Sequence, residues 1–78
     1  MKYNIECQNP CGKPFLTVYV ADDSQIEAAQ AVLQNIDCTK NVNINSDSHL
    51  KRHLTVQINP SFSAEECAKL CALQLDKI

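Results

Sequence analysis

Glycine is almost absent from this sequence, which has one glycine, three prolines and no tryptophan in 78 residues. The single Gly-Lys pair, Gly12-Lys13, lacks the G-x4-G-K-[ST] spacing of a phosphate-binding loop. The motifs G-x-S-x-G, H-E-x-x-H and G-x-G-x-x-G are also missing. The sequence therefore offers no common signature of a hydrolase, a zinc protease or a nucleotide-binding enzyme, and we expect a protein that is not an enzyme.

Long apolar runs are lacking as well. No run approaches the 18 residues that a membrane-spanning helix needs, and residues 1–7 lack the apolar core of a secretory signal. Five cysteines are present, and their odd number favours free thiols in a reducing compartment. We therefore expect a cytoplasmic protein without membrane contact, whose cysteines serve chiefly as small buried apolar residues.

Neither sign of charge is in large excess, because seven lysines and arginines face nine aspartates and glutamates, for a net charge of −2. This balance argues against a protein that holds nucleic acid by bulk electrostatics. Apolar residues make up 45% of the chain, enough for one small folded domain over residues 1–78. The helical pattern continues to the last residue, so a fragment of a longer chain is an open alternative.

Alternating apolar and polar residues predict four strands, and spacings of three and four residues predict two helices. Each helix has a capping-box signature at its start, Ser24-x-x-Glu27 and Ser63-x-x-Glu66. The predicted order is ββαββα, with strands over 2–7, 15–20, 41–45 and 53–58, and helices beginning at 24 and 63.

These elements predict an α+β fold with both helices on one face of a four-stranded antiparallel sheet. The short turn over 8–14 makes the first two strands a hairpin. A right-handed crossover then leads to the third strand, and the fourth strand inserts between the second and third. The predicted strand order is 1-2-4-3.

The segments N-V-N-I (41–44), H-L-T-V-Q-I (53–58) and S-A-E-E (63–66) resemble the second half of small ferredoxin-like domains of the heavy-metal-associated type. The resemblance implies a ferredoxin-like arrangement in which the N-terminal strand occupies the edge of that family's last strand, as in a circular permutant. That family binds metal through a C-x2-C loop after its first strand. The corresponding loop here, 21–24, has no cysteine, so the metal-carrier function does not carry over.

Two surfaces are candidates for docking a protein partner or a second copy. Strand alternation places Phe15, Tyr19 and His53 on the sheet face without helices, where exposed rings favour contact with another molecule. Leu70 and Leu73 are predicted to point away from the core on the last helix. The turn over 46–52 carries a basic pair, Lys51 and Arg52, that is a candidate anion site.

A thiol site is the other candidate. The predicted topology brings Cys7, Cys11 and Cys67 to the same end of the sheet, with Cys71 one helical turn higher and Cys38 over the other side. Three thiolates would select Zn(II) or Cu(I). A position near a helix N-terminus is expected to lower the pKa of Cys67.

The sequence thus leaves three hypotheses. The first is a non-enzymatic protein-interaction or dimerisation module without a cofactor. The second is a soft-metal or redox site that uses clustered cysteines and zinc or copper. The third is weak nucleic-acid or anion binding through the open sheet face, which the net charge makes the least favoured.

Overall fold

The computed structural model describes residues 1–49 and 51–78, so Leu50, in the predicted turn over 46–52, lies outside the described residues. Within the described part the chain forms four strands and two α-helices, in the order ββαββα. The strands are β1 (Tyr3–Gln8), β2 (Phe15–Val20), β3 (Thr39–Ser46) and β4 (Arg52–Ile58), and the helices are α1 (Ile26–Gln34) and α2 (Ala64–Leu75).

The sheet has the order β1-β2-β4-β3, with every neighbouring pair antiparallel, which confirms the predicted topology. β2 and β3 run in the same direction because β4 lies between them. The connection from β2 to β3 passes through α1, so one helix covers the β3 side of the sheet while α2 packs over β1 and β2.

One face of the sheet forms the core together with the two helices. Leu16 and Val18 of β2 and Leu54 and Val56 of β4 are fully buried on this face, as period-two alternation requires. The helices complete the core with fully buried Ile26, Ala29, Leu33, Cys67, Cys71 and Leu75.

The start of α1 differs from the prediction. Asp22, rather than Ser24, caps this end: its carboxylate accepts from the backbone N–H of Ser24 at 3.0 Å and from its hydroxyl at 2.7 Å. A short 3-10 turn follows, and α1 begins only at Ile26. The predicted capping box over Ser24 and Glu27 is wrong. The Asp22 carboxylate, two residues earlier, is a stronger acceptor and binds Ser24.

At the start of α2 the structure confirms the predicted cap by Ser63, whose hydroxyl accepts from the backbone N–H of Glu66 at 3.1 Å. At the other end of α2, the Tyr3 hydroxyl donates to the Asp76 carboxylate at 2.7 Å and to the Ala72 carbonyl at 3.3 Å. Neither helix in the described residues combines the length and the apolar content that crossing a bilayer requires.

Candidate functional site

The sheet face opposite the helices, here called the open face, has twelve outward positions, three from each strand. Strand register arranges them in three rows of four across the sheet. The rows contain Gln8, Phe15, Gln57 and Asn41, then Glu6, Thr17, Thr55 and Asn43, then Asn4, Tyr19, His53 and Asn45.

Three rings lie on the two central strands of the open face, as the sequence predicted for Phe15, Tyr19 and His53. The rings of Tyr19 and His53 are 5.7 Å apart, centre to centre, and inclined by 42°. Tyr19 is 43% exposed, whereas Phe15 and His53 are half-buried. Tyr19 thus presents its ring to solvent next to the imidazole of His53.

Amide side chains occupy half of the open face, at six of its twelve positions. Asn41 donates to the side-chain carbonyl of Gln57 at 3.2 Å, and Asn45 donates to the Thr55 hydroxyl at 2.7 Å. These bonds run between neighbouring strands and hold the side chains in a defined arrangement. The face is therefore polar and ordered, with one carboxylate, that of Glu6.

Lysines border the open face at both ends. Lys13 and Lys40 line a depression of about 420 Å³ beside Phe15, Thr55 and Gln57. At the opposite end, a depression of about 510 Å³ lies beside Tyr19 and Asn4 and is lined by Lys2 and Lys51, together with Arg52, Asp23 and Asp47.

Charge is distributed unevenly between the two sides of the molecule. Seven of the nine carboxylates belong to the helices or to the segments that adjoin them; the exceptions are Glu6 on β1 and Asp47 after β3. The helical side is strongly acidic, while the sheet side has four lysines against Glu6 and Asp47, and Asp23 reaches the depression beside Tyr19. The net charge of −2 conceals this separation.

Arg52 is not a free anion site, which corrects the prediction for the Lys51 and Arg52 pair. Its guanidinium binds the Asp23 carboxylate at 2.7 Å and the Glu27 carboxylate at 2.6 Å. The Arg52 side chain holds the pKa of both carboxyls below their ordinary values. Arg52 lies on the helix-facing side of β4, whereas Lys51, one residue earlier, remains exposed.

The two leucines predicted to point away from the core differ from each other. Leu73 is 57% exposed, as predicted. Leu70 is half-buried and packs against the core, which corrects the prediction that it points away from it. Of the two leucines, Leu73 therefore offers the larger exposed apolar surface on α2.

The structure corrects the predicted thiol cluster. Cys7 and Cys11 are exposed, whereas Cys67 is fully buried beside Cys38 and Cys71, with all three sulfurs within 4.8 Å of one another. The first turn of α2 packs next to Cys38, just before β3. Neither Cys7 nor Cys11 belongs to this group of sulfurs, so the predicted cluster of Cys7, Cys11 and Cys67 is not formed.

Burial disfavours the thiolate forms of Cys67 and Cys71. Burial raises the pKa of Cys71 to about 12 and raises that of Cys67 further, opposite to the lowered pKa predicted from the helix N-terminus. The Cys67 thiol donates to the Cys38 carbonyl at 3.4 Å, and the Cys38 thiol donates to the Cys67 carbonyl at 3.9 Å. Desolvation therefore outweighs the helix dipole at Cys67, and neither Cys67 nor Cys71 is an activated nucleophile.

Sequence reasoning missed two features of the site: the meeting of Cys38 with Cys67 and the border of lysines. The first depended on how α2 crosses the sheet, for which the sequence has no signal. The second was accessible, since alternation around Asn4, Tyr19 and Arg52 assigns Lys2 and Lys51 to the sheet side. Comparison of the chain with protein-family models, curated proteins and solved structures finds no match.

Proposed function

We propose that this protein is a non-enzymatic module that binds single-stranded nucleic acid on the open face of its sheet. The observation that carries the proposal is an uncovered, ring-bearing sheet face with lysines at both ends, on a molecule whose carboxylates lie mostly on the other side.

Base stacking supports the proposal. Phe15 and Tyr19 lie four residues apart on β2, a separation of about 13 Å, so each ring can receive a different base. Aromatic side chains on a sheet are a common platform for unpaired bases, worth about 1–3 kcal/mol for each base. His53 widens the platform at Tyr19.

The amides supply polar contacts to the base edges. Asn and Gln side chains each offer a donor and an acceptor, which match the mixed donors and acceptors on the Watson–Crick edges of unpaired bases. The bonds from Asn41 to Gln57 and from Asn45 to Thr55 limit the motion of these side chains before a ligand arrives.

The lysines favour a polyanion over a second copy of the chain. Two open faces brought together would place lysines near lysines, whereas a phosphate backbone passing from Lys13 and Lys40 toward Lys2 and Lys51 meets cations at both ends. The face also has few apolar side chains, whereas the centre of a stable protein interface is usually apolar. A duplex is disfavoured because its bases are already stacked on one another.

Fluorescence anisotropy with labelled twelve-nucleotide RNA and DNA strands, and with the matching duplex, tests the proposal. We expect saturable binding of the single strands that weakens with added salt. Tyr19→Ala should weaken binding about 5- to 150-fold, the equivalent of one lost stacking contact of about 1–3 kcal/mol. The duplex should bind more weakly than the single strands.

Matched controls separate the open face from general charge. Lys40→Ala should lower the slope of log affinity against log salt by about 0.7, whereas Lys69→Ala, on α2 and 75% exposed, should leave it unchanged. Equal effects of the two lysine variants, or no saturable binding by the wild type, would contradict the proposal.

Sedimentation experiments on the wild type and two surface variants check the hypothesis of a protein partner or a second copy. Sedimentation of the wild type over a wide concentration range should show a monomer if the open face is reserved for nucleic acid. Association that Phe15→Lys abolishes would support dimerisation through the open face. Association that Leu73→Lys abolishes would instead indicate a docking site on α2, where Leu73 is 57% exposed.

The permuted ferredoxin-like arrangement is supported by the strand order and by the placement of both helices on one face. A cytoplasmic location is supported by five free thiols, which an oxidising compartment would tend to pair.

A further inference from the structure

The core contains a group of three thiols that the proposed binding surface does not use. Cys38 precedes β3, and Cys67 and Cys71 lie one turn apart on α2. Their sulfurs all lie within 4.8 Å of one another, and each residue is fully buried. We propose that Cys38, Cys67 and Cys71 form a three-sulfur site for a single Cu(I) ion.

The distances between the sulfurs are close to those of a trigonal site. A metal–sulfur bond of about 2.3 Å places three sulfurs about 4 Å apart around one ion. The sulfurs here need to approach by less than about 1 Å, which rotation of short side chains can provide. Metal binding would break the two hydrogen bonds that the thiols of Cys38 and Cys67 donate, and these are long, at 3.9 and 3.4 Å.

The number and kind of donors select the ion. In the described part of the chain no fourth His, Cys, Asp or Glu joins the group, so four-coordinate Zn(II) would lack a ligand. Three soft sulfurs in a water-free site suit Cu(I), which has no need of a fourth ligand. This site is distant in sequence from the loop over 21–24, which corresponds to the cysteine-bearing loop of the heavy-metal-associated domains.

Binding conserves atoms and charge without any redox change. One Cu(I) enters, two S–H bonds break, two protons leave to solvent, and three Cu–S bonds form, with one sulfur still protonated. The site then has a net charge of −1 close to the first turn of α2, where the positive end of the helix dipole stabilises it.

The test uses the Cys7→Ser/Cys11→Ser protein, which retains only the three buried thiols. Under anaerobic conditions with a colorimetric Cu(I) chelator as competitor, we expect one equivalent of copper to remain after desalting. X-ray absorption should show sulfur as the sole ligand, and the melting temperature should rise because the folded state binds the ion. Zn(II) should be lost to a chelator under the same conditions.

Two core variants complete the test. Cys67→Ala and Cys71→Val, made in the same background and checked for folding by circular dichroism, should each lose the retained copper. Cys71→Val keeps an apolar side chain of similar size and serves if the alanine variant does not fold. Copper retained by a folded variant, no copper retained by the parent, a falling melting temperature, or equal retention of Zn(II) would overturn the proposal.

Discussion

Burial rather than sequence position decides the chemistry of each cysteine in this protein. Cys67 lies in the first turn of a helix, where a lowered pKa is expected, yet its pKa is raised because the side chain is removed from water. Cys7 and Cys11 have no such environment and remain exposed. At the scale of the residue, the five thiols therefore form two classes.

Thiol labelling can distinguish these classes. In the native protein, we expect two thiols per chain to react rapidly with a chromogenic disulfide reagent, and mass mapping should assign them to Cys7 and Cys11. The other three should react only after denaturant is added, since all three are fully buried and the pKa values of Cys67 and Cys71 are raised. Fast native labelling of Cys67 or Cys71 would show that the reagent reaches the core of the folded protein.

Two contacts at the scale of the element determine where the helices begin and how they attach. Ser63 satisfies one of the free backbone N–H groups at the start of α2. Arg52, at the start of β4, bridges to Asp23 before α1 and to Glu27 within it. The first contact is local in sequence, whereas the second joins residues more than 20 positions apart.

The cap of α2 should be measurable by denaturation. Ser63→Ala should lower the free energy of unfolding by about 1 kcal/mol, because the N–H of Glu66 loses its acceptor. Ser24→Ala is the matched control and should cost less, since its hydroxyl donates to Asp22 while the backbone bond from Ser24 to Asp22 survives the change. Equal losses would indicate that Ser24, too, has a capping role.

The Arg52 bridge should make stability depend on pH. The pKa values of Asp23 and Glu27 are lowered in the folded protein, so their stabilisation is present at neutral pH and is lost as the pH falls below about 4. Arg52→Gln should therefore flatten the acid limb of a plot of stability against pH. Some acid sensitivity should persist, because Asp22 and Asp47 have lowered pKa values from other bonds.

Lys69→Gln is the control for that measurement. Lys69 pairs with Glu65 at 3.7 Å on the surface of α2, and both side chains are largely exposed. Its removal should leave the acid limb unchanged, as expected of an isolated exposed pair. An acid limb that is identical in Arg52→Gln and the wild type would show that the bridge does not make stability depend on pH.

At the scale of the whole molecule, the distribution of charge matters more than its sum. Glu6→Lys, on the open face, and Glu65→Lys, on α2, change the net charge by the same amount. If the open face binds nucleic acid, the Glu6 variant should bind single strands more tightly and with a salt slope steeper by about 0.7 for an added phosphate contact. The Glu65 variant should change both quantities much less; equal changes would show that net charge alone governs binding.

The local pattern of the sequence was enough to predict the strand order, the alternation on the sheet and the cap at Ser63. These features depend on neighbours a few residues apart and on the handedness of one crossover. The same alternation placed Phe15, Tyr19 and His53 on the open face. The predicted N-terminal boundary of α1 was wrong because Asp22 and Ser24 are both possible capping residues within the same turn.

Only the tertiary structure decided which thiols meet and which charges are free. Cys38 joins Cys67 because the first turn of α2 packs against the segment between α1 and β3, and Arg52 is occupied because β4 begins opposite α1. Both outcomes depend on where a helix lies across the sheet, which is set by the sum of many small packing contacts. No local pattern encodes that sum, so distant residues such as Cys38 and Cys67 are brought together by the fold alone.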